Sequence, residues 1–170
     1  METVVGSGRT AGFSLTRPSD TNAYTAGDVI SNSTLIPVTI AIPSVGASSR
    51  GFTILQSALI IDSAAVATPP DLELWLFDTT VTTPNDNAAF APTDAELLTL
   101  VTVIEFPTAD FKLGIPTANA AGNCICEANN LGVPINIGAA AGTLFGVLVV
   151  RNNYVPVSAE VFTVKLKLLD

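Results

Sequence analysis

Short apolar runs, each stopped within a few residues by proline, glycine, asparagine or aspartate, are the feature that most limits what this chain can fold into. Such punctuation leaves no room for a long amphipathic helix, and the runs themselves are β-branched, so an all-β protein is predicted. The clearest run is Glu160–Leu168. There Phe162, Val164, Leu166 and Leu168 share one parity, while Thr163, Lys165 and Lys167 share the other, the period of a half-buried strand. Asp71–Asp78 repeats the pattern, with Leu72, Leu74 and Leu76 opposite Glu73, Trp75 and Phe77. Phe52–Asp62 is apolar on both parities, as a strand covered on two sides would be. Pro37–Ile42 is short and flanked by proline, which suits an edge because proline cannot donate to a ladder. Further strands are expected at Leu100–Phe106, Cys124–Ala128, Val133–Ile137 and Thr143–Arg151.

Thr93-Asp-Ala-Glu96 is a capping box and predicts one short helix near 93–98, with Leu97 and Leu98 docking it on a sheet. About eight short strands and one brief helix predict a two-sheet antiparallel sandwich, jelly-roll-like in class. A chain of 170 residues, 48% hydrophobic and without an internal linker, is enough for one core, so residues 17–170 are expected to form a single domain. Residues 1–16, loosened by Gly6, Gly8 and Gly12, are expected to form an N-terminal arm. Its Phe13 and Leu15 alternate and could add a strand to a neighbour's sheet. Behind the arm, turn chemistry around Asp20, Asn22 and Gly27 is anchored by Tyr24.

Charge and composition remove several functions. Seven Lys and Arg against 15 Asp and Glu give a formal charge of -8, opposite to the footprint of phosphate-backbone binding, so no direct nucleic-acid partner is expected. The chain contains no histidine, which removes every Ser-His-Asp, Cys-His and His-metal arrangement. The start is acidic at Glu2 with no apolar stretch behind it, so no secretion signal is expected. Ile137–Val150, the most apolar stretch, is broken by Gly138, Gly142, Thr143 and Gly146 and falls short of the roughly 20 residues of a bilayer crossing, so no membrane partner is expected. Cys124 and Cys126 share one strand face, too close in sequence to bridge without strain, and read as core thiols.

The remaining polar groups offer little chemistry. Asp71 and Glu73 lie where water solvates both, and Asp94 and Glu96 suit a helix N-terminus. The run from Asp78 to Asn87 has oxygen ligands of the calcium type but lacks the glycine and terminal Glu of a calcium loop, so it reads as an Asn/Asp turn. Serines and threonines have no base, and the glycine runs have no phosphate-loop Lys-Ser/Thr. No catalytic, cofactor or metal residue is therefore predicted, and no enzyme. Trp75 and Phe77 require a cover: either the 79–98 excursion, through Phe90, Leu97 and Leu98, or another subunit.

Three separated blocks carry a resemblance. They are Arg-Pro-Ser-Asp-Thr-Asn-Ala-Tyr-Thr-Ala-Gly-Asp-Val at 17–29, LELWLFD at 72–78 and PNDNAAFAPTDAE at 84–96. Together they resemble a family of small virion structural proteins of tailed bacteriophages, over about residues 17–106; the remainder, including ANAAGNCICEANN, has no motif that aligns. The resemblance implies a cement, or decoration, protein made in the host cytoplasm and bound to the outer surface of the icosahedral shell. Its partners would be the major capsid protein and further copies of itself, as a dimer first and a trimer next. Candidate interface residues are Phe13, Leu15, Arg17, Tyr24, Trp75 and Phe77. Deleting residues 1–14 is expected on this reading to leave a folded protein that binds shells poorly. The alternative is a tail- or fibre-associated jelly-roll module that binds host glycans or other virion proteins.

Overall fold

The structure, a computed structural model, describes residues 8–33, 40–42, 53–64, 68–113, 123–135 and 142–169. The apolar parities of the sequence resolve into two antiparallel sheets. The first runs β1 (Gly8–Thr16), β11 (Val161–Leu169), β4 (Thr53–Asp62), β8 (Cys124–Ala128), β7 (Lys112–Leu113), with β9 (Val133–Ile135) also on β4. The second runs β2 (Val29–Ile30), β10 (Leu144–Val150), β5 (Leu72–Phe77), β6 (Leu100–Phe106), with β3 (Ile40–Ile42) also on β10. Setting aside the short β3, β7 and β9 and renumbering the rest in chain order, the sheets read 1-8-3-6 and 2-7-4-5. Every step along the chain but one then crosses between sheets, which is the jelly-roll arrangement of two Greek keys. Of the strand expected at Pro37–Ile42, residues 37–39 lie outside the described residues, as do residues 136–137 of the expected Val133–Ile137 strand and residues 1–7 of the expected arm.

Between the sheets lies one core. Leu72, Leu74 and Leu76 from β5 and Ile104 and Phe106 from β6 meet Leu55 and Ile60 of β4 and Phe162, Val164, Leu166 and Leu168 of β11. Burying each such side chain contributes about 1.5–3 kcal/mol. Two sequence expectations are corrected here. First, the outer face of β4 is only partly covered, leaving Leu59 and Ile61 half-buried there, and a bulge adds to the mixing of its apolar parities. Its register to β11 shifts between Lys167 and Leu168, leaving Gln56 out of step, and the inward set changes from Thr53 and Leu55 to Ala58, Ile60 and Asp62. The bulged carbonyl of Gln56 accepts the Leu131 N–H at 3.0 Å, so the irregularity leaves that group satisfied.

Second, residues 8–16 are not a loose arm. β1 pairs with β11 over its whole length, from Gly8 against Leu169 to Thr16 against Val161. Its odd residues follow the inward parity of β11: Ala11 and Leu15 are buried in the core and Phe13 packs half-buried against it. The domain therefore begins within the expected arm, and deleting residues 1–14 would strip a ladder and core groups from the chain's own sheet. Gly12 marks the tightest point of the pairing, where a Cβ would come within 2.1 Å of the Val164 carbonyl oxygen. Gly12→Ala is expected to lower unfolding free energy by about 1–3 kcal/mol, measured by urea denaturation, with faster amide exchange confined to β1 and β11. Unchanged stability would mean that β1 is not held as described.

Candidate functional site

A network of buried polar side chains lies at one end of the sandwich and is built around a buried charge. Arg17 follows β1 and is 2% exposed. Its Nε donates to the Tyr24 hydroxyl, and its guanidinium lies over the Tyr24 ring at 4.8 Å. Tyr24 in turn donates to Asp86 Oδ1 at 2.7 Å, and Arg17 Nη2 reaches Asp86 Oδ2 and Asp20 Oδ1, each at 3.3 Å. Asp86 Oδ1 also accepts the Ser31 N–H at 2.8 Å. Burial by itself would lower the guanidinium pKa, but the Tyr24 bond and the carboxylates of Asp86 and Asp20 hold it raised. Burial likewise pushes the Tyr24 hydroxyl well above its ordinary range.

This network draws the 79–98 excursion over the outer face of the second sheet. Backbone bonds fasten it there: Asp86 N–H to Ser33 O, Asn87 N–H to Val29 O and Phe90 N–H to Gly27 O, at 2.9–3.0 Å. Gly27 and Asn87 supply the left-handed turns that this path needs, at φ 99° and 59°. The roof so formed places Phe90 edge-on to Trp75 and Phe77, at 5.6 and 6.3 Å between ring centres. Val81 joins Val29, Phe77, Val147 and Val149 in a second apolar cluster. The excursion, one of the two covers expected for Trp75 and Phe77, is thus the cover found. The short helix α1 (Asp94–Leu97) has its capping box, with Glu96 also accepting the Thr82 N–H at 2.6 Å. These hydrogen bonds hold the Glu96 carboxyl at about 2. Leu97 and Leu98 do not dock on the sheet as expected; they face solvent, because Val81 and Phe90 already fill the outer cluster.

Behind the first network stands a second that sequence reasoning missed. Tyr24 and Tyr154 exchange backbone hydrogen bonds and stack at 6.3 Å. The Tyr154 hydroxyl donates to Glu160 Oε1, and Glu160 Oε2 accepts the Val157 N–H at 3.1 Å. Glu160 also hydrogen-bonds Asp62, and both carboxyls are buried. Asp62 further accepts the Ala64 N–H at 2.8 Å and faces the Cys124 thiol at 3.5 Å. Burial first, and the Glu160 bond second, push Asp62 up to about 8, so this carboxyl is protonated at neutral pH. A signal existed in the sequence, since Glu160 has the inward parity of Phe162 and Val164. Asp62 could not be found that way, because the bulge at Gln56 changes its parity.

The structure redistributes the candidate interface residues. Leu15, Arg17, Tyr24 and Phe77 are at most 3% exposed and cannot offer their side chains to a partner, which corrects that expectation. Phe13 and Trp75 are half-buried; Trp75 donates to Glu73 at 2.8 Å and lies under Arg151. Cys124 and Cys126 are buried free thiols, pushed by burial up to about 12 and about 11. In the Asp78–Asn87 run, the Asp86 carboxylate is taken by Arg17, Tyr24 and Ser31. Among the described residues no group of three or more His, Cys, Asp or Glu is placed to hold a metal, and no helix is long and apolar enough to cross a membrane.

No protein-family model matches the chain, and no curated protein matches it. Among solved structures, the chain aligns with the infectious bursal disease virus VP2 subviral particle at 14% identity and a TM-score of 0.17. A structure of the Gx strain of the same virus aligns at 14% and 0.15. Each alignment covers 95% of this chain and 41% of the other, so the chain spans well under half of either. At these scores the correspondence carries no argument about fold or function.

Two outcomes follow from the networks. Asp86→Ala strands the buried Arg17 charge and is expected to cost about 3 kcal/mol by urea denaturation, more than the double replacement Arg17→Met with Asp86→Leu. A smaller loss from the single change would contradict the charge's dependence on Asp86. The second outcome concerns pH. Between the ordinary Asp value of 3.8 and about 8, the unfolded chain releases the Asp62 proton while the folded chain keeps it. Stability from this group is therefore full below the lower value and is lost as pH rises through the upper one. The urea midpoint should fall from pH 5 to pH 9, and Asp62→Asn should remove most of that fall; an unaltered slope would contradict the assignment.

Proposed function

We propose that this protein is a structural subunit of a tailed-phage virion, a cement or decoration protein that binds the outer surface of the icosahedral shell and stabilises it against the pressure of packaged DNA. The observation that carries this reading is the convergence of the three blocks on which the resemblance rests. Arg17 and Tyr24 of the first meet Asp86 of the third, and Trp75 and Phe77 of the second meet Phe90 of the third. The residues of the three blocks therefore meet within one folded body of this chain, which supports reading them together.

What those residues do suits a protein that works by shape. Tyr24, Asp86, Tyr154 and Glu160 spend their polar groups on one another and on the backbone, and the Cys124 and Cys126 thiols are buried and held protonated. The protein acts on this reading without cofactor or reaction of its own. A specific contact with a shell needs on the order of 1,600 Å² of buried area, which the outer side of the first sheet together with the surface of the 79–98 roof would have to supply. Its partners are the major capsid protein and further copies of itself.

Purified protein mixed with shells that lack it is expected to co-sediment with them to a saturating ratio fixed by the lattice, and to raise the temperature at which they disrupt. Saturation at a few copies per particle would point to the tail-associated alternative. Failure to bind any part of the particle, or turnover of a compound by the isolated protein, would overturn the reading.

A further inference from the structure

A sheet edge left unpaired is a template for another chain, and folded proteins blunt such edges. Among the described residues the two sheets end in β1, β7, β2 and β6, and all but β1 are blunted. β7 is two residues long and carries Lys112. β2 is closed by the roof, through the Val29 N–H to Ala88 O and the Asn87 N–H to Val29 O. β6 presents the exposed Glu105, and its register to β5 slips between Leu76 and Phe77. β1 is nine residues long, has no proline and no bulge, and pairs among the described residues with β11 alone. Its one charged residue, Arg9, has the inward parity of Ala11 and Leu15.

Which backbone groups of β1 are open follows from one bond. The Arg17 N–H donates to Glu160 O at 2.9 Å, one step beyond Thr16 opposite Val161, so Arg17 and Glu160 are a hydrogen-bonded pair of this ladder. Hydrogen-bonded and non-hydrogen-bonded pairs alternate along antiparallel strands. Arg9, Ala11, Phe13 and Leu15 therefore bond β11, while Gly8, Thr10, Gly12, Ser14 and Thr16 turn their N–H and C=O groups to the open edge. The Ser14 and Thr163 hydroxyls, 2.8 Å apart, agree with a non-hydrogen-bonded pair, where side chains stand nearer. All five edge residues are glycine, serine or threonine, so no bulky side chain screens the row; Gly8, Thr10 and Thr16 are exposed, and Gly12 and Ser14 half-buried.

We propose that β1 pairs antiparallel with β1 of a second copy across a two-fold axis at Gly12, joining the first sheets of the two molecules into one. What selects a second copy is that the strand matches its own reverse. With Gly12 opposite Gly12, Thr10 falls opposite Ser14 and Gly8 opposite Thr16, so every open residue meets an open residue. The pairing makes about ten backbone hydrogen bonds, the number a specific interface carries. Hydroxyl meets hydroxyl on the outer face, and on the inner face small Ala11 meets large Phe13, while Arg9 falls opposite Leu15 and no like charges oppose. A shift of register in either direction leaves open groups unpaired. Such a contact uses the same patch on both molecules and closes as a dimer. It gives a surface to the self-contact in the reading above but requires no shell, so each is tested without the other.

Sedimentation equilibrium of the full chain tests it, with circular dichroism verifying that each variant is folded. The wild type should pass from monomer to dimer and stop there, in low and high salt alike, and amide exchange at Thr10, Gly12 and Ser14 should slow as concentration rises. Thr10→Pro removes an N–H that β11 does not use, so it should keep the fold and weaken dimerisation by roughly tenfold or more. Paired charges then read the register. Thr10→Lys with Ser14→Lys sets like charges opposite each other and should weaken the dimer, whereas Thr10→Lys with Ser14→Glu sets opposite charges there and should hold it. A monomer at all concentrations, species beyond a dimer, indifference to Thr10→Pro or an equal response to the two charge pairs would each overturn the proposal. Protection of those three amides on shells alone would overturn it in favour of a strand from the capsid.

Discussion

A guanidinium withdrawn from water must be met by a carboxylate, and for Arg17 that carboxylate is 69 residues along the chain, on Asp86. Most of the architecture at this end of the molecule follows from that requirement. Asp86 can reach Arg17 only if the segment after β5 folds back across the second sheet, and backbone bonds from Asp86, Asn87 and Phe90 then stitch it to residues 27–33. Trp75 and Phe77, which would otherwise form an exposed aromatic stripe, acquire Phe90 as a cover. The same path leaves α1 on the outside, where its leucines find no place in a cluster that Val81 and Phe90 have filled.

The second network is the other half of one polar seam. Tyr24 and Tyr154 join the two, back to back, and through Glu160 the seam reaches Asp62 at the end of β4. Here β11 connects core and seam: its inward residues Phe162, Val164, Leu166 and Leu168 lie between the sheets, and Glu160 extends the same parity to the polar end. The two networks solve the problem of burial differently. Arg17 keeps its charge because its partners carry the opposite sign, whereas Asp62 lacks a cation and keeps a proton.

How much of this could be read from the sequence depended on how local the signal was. Strands with clean alternation, β5 and β11, stand within a residue or so of where their pattern placed them, and so do the apolar run of β6 and the capping box of α1. The two-residue β2 and β7 carry no periodicity of their own and are strands only through their partners β10 and β8. Glycine at positions 8 and 12 made β1 look loose, yet Gly12 is required by the close approach of β11. The bulge at Gln56 disguised the facing of β4. The buried networks were out of reach for a similar reason: Arg17 and Tyr24 read as interface candidates at a turn-rich loop that Tyr24 anchors, and nothing nearby announces that Asp86 is their partner.

These features describe a body whose buried polar side chains hold it together and whose second sheet is roofed by its own chain, a rigid shape that the proposed role of reinforcing a shell would use. An electron cryo-microscopy reconstruction of the intact particle tests that account most directly. It predicts density for a two-sheet sandwich, seated in regular array on the outside of the head, with the Arg17–Asp86 end ordered inside the body. A head surface without such density, or the sandwich resolved at the tail alone, would contradict it.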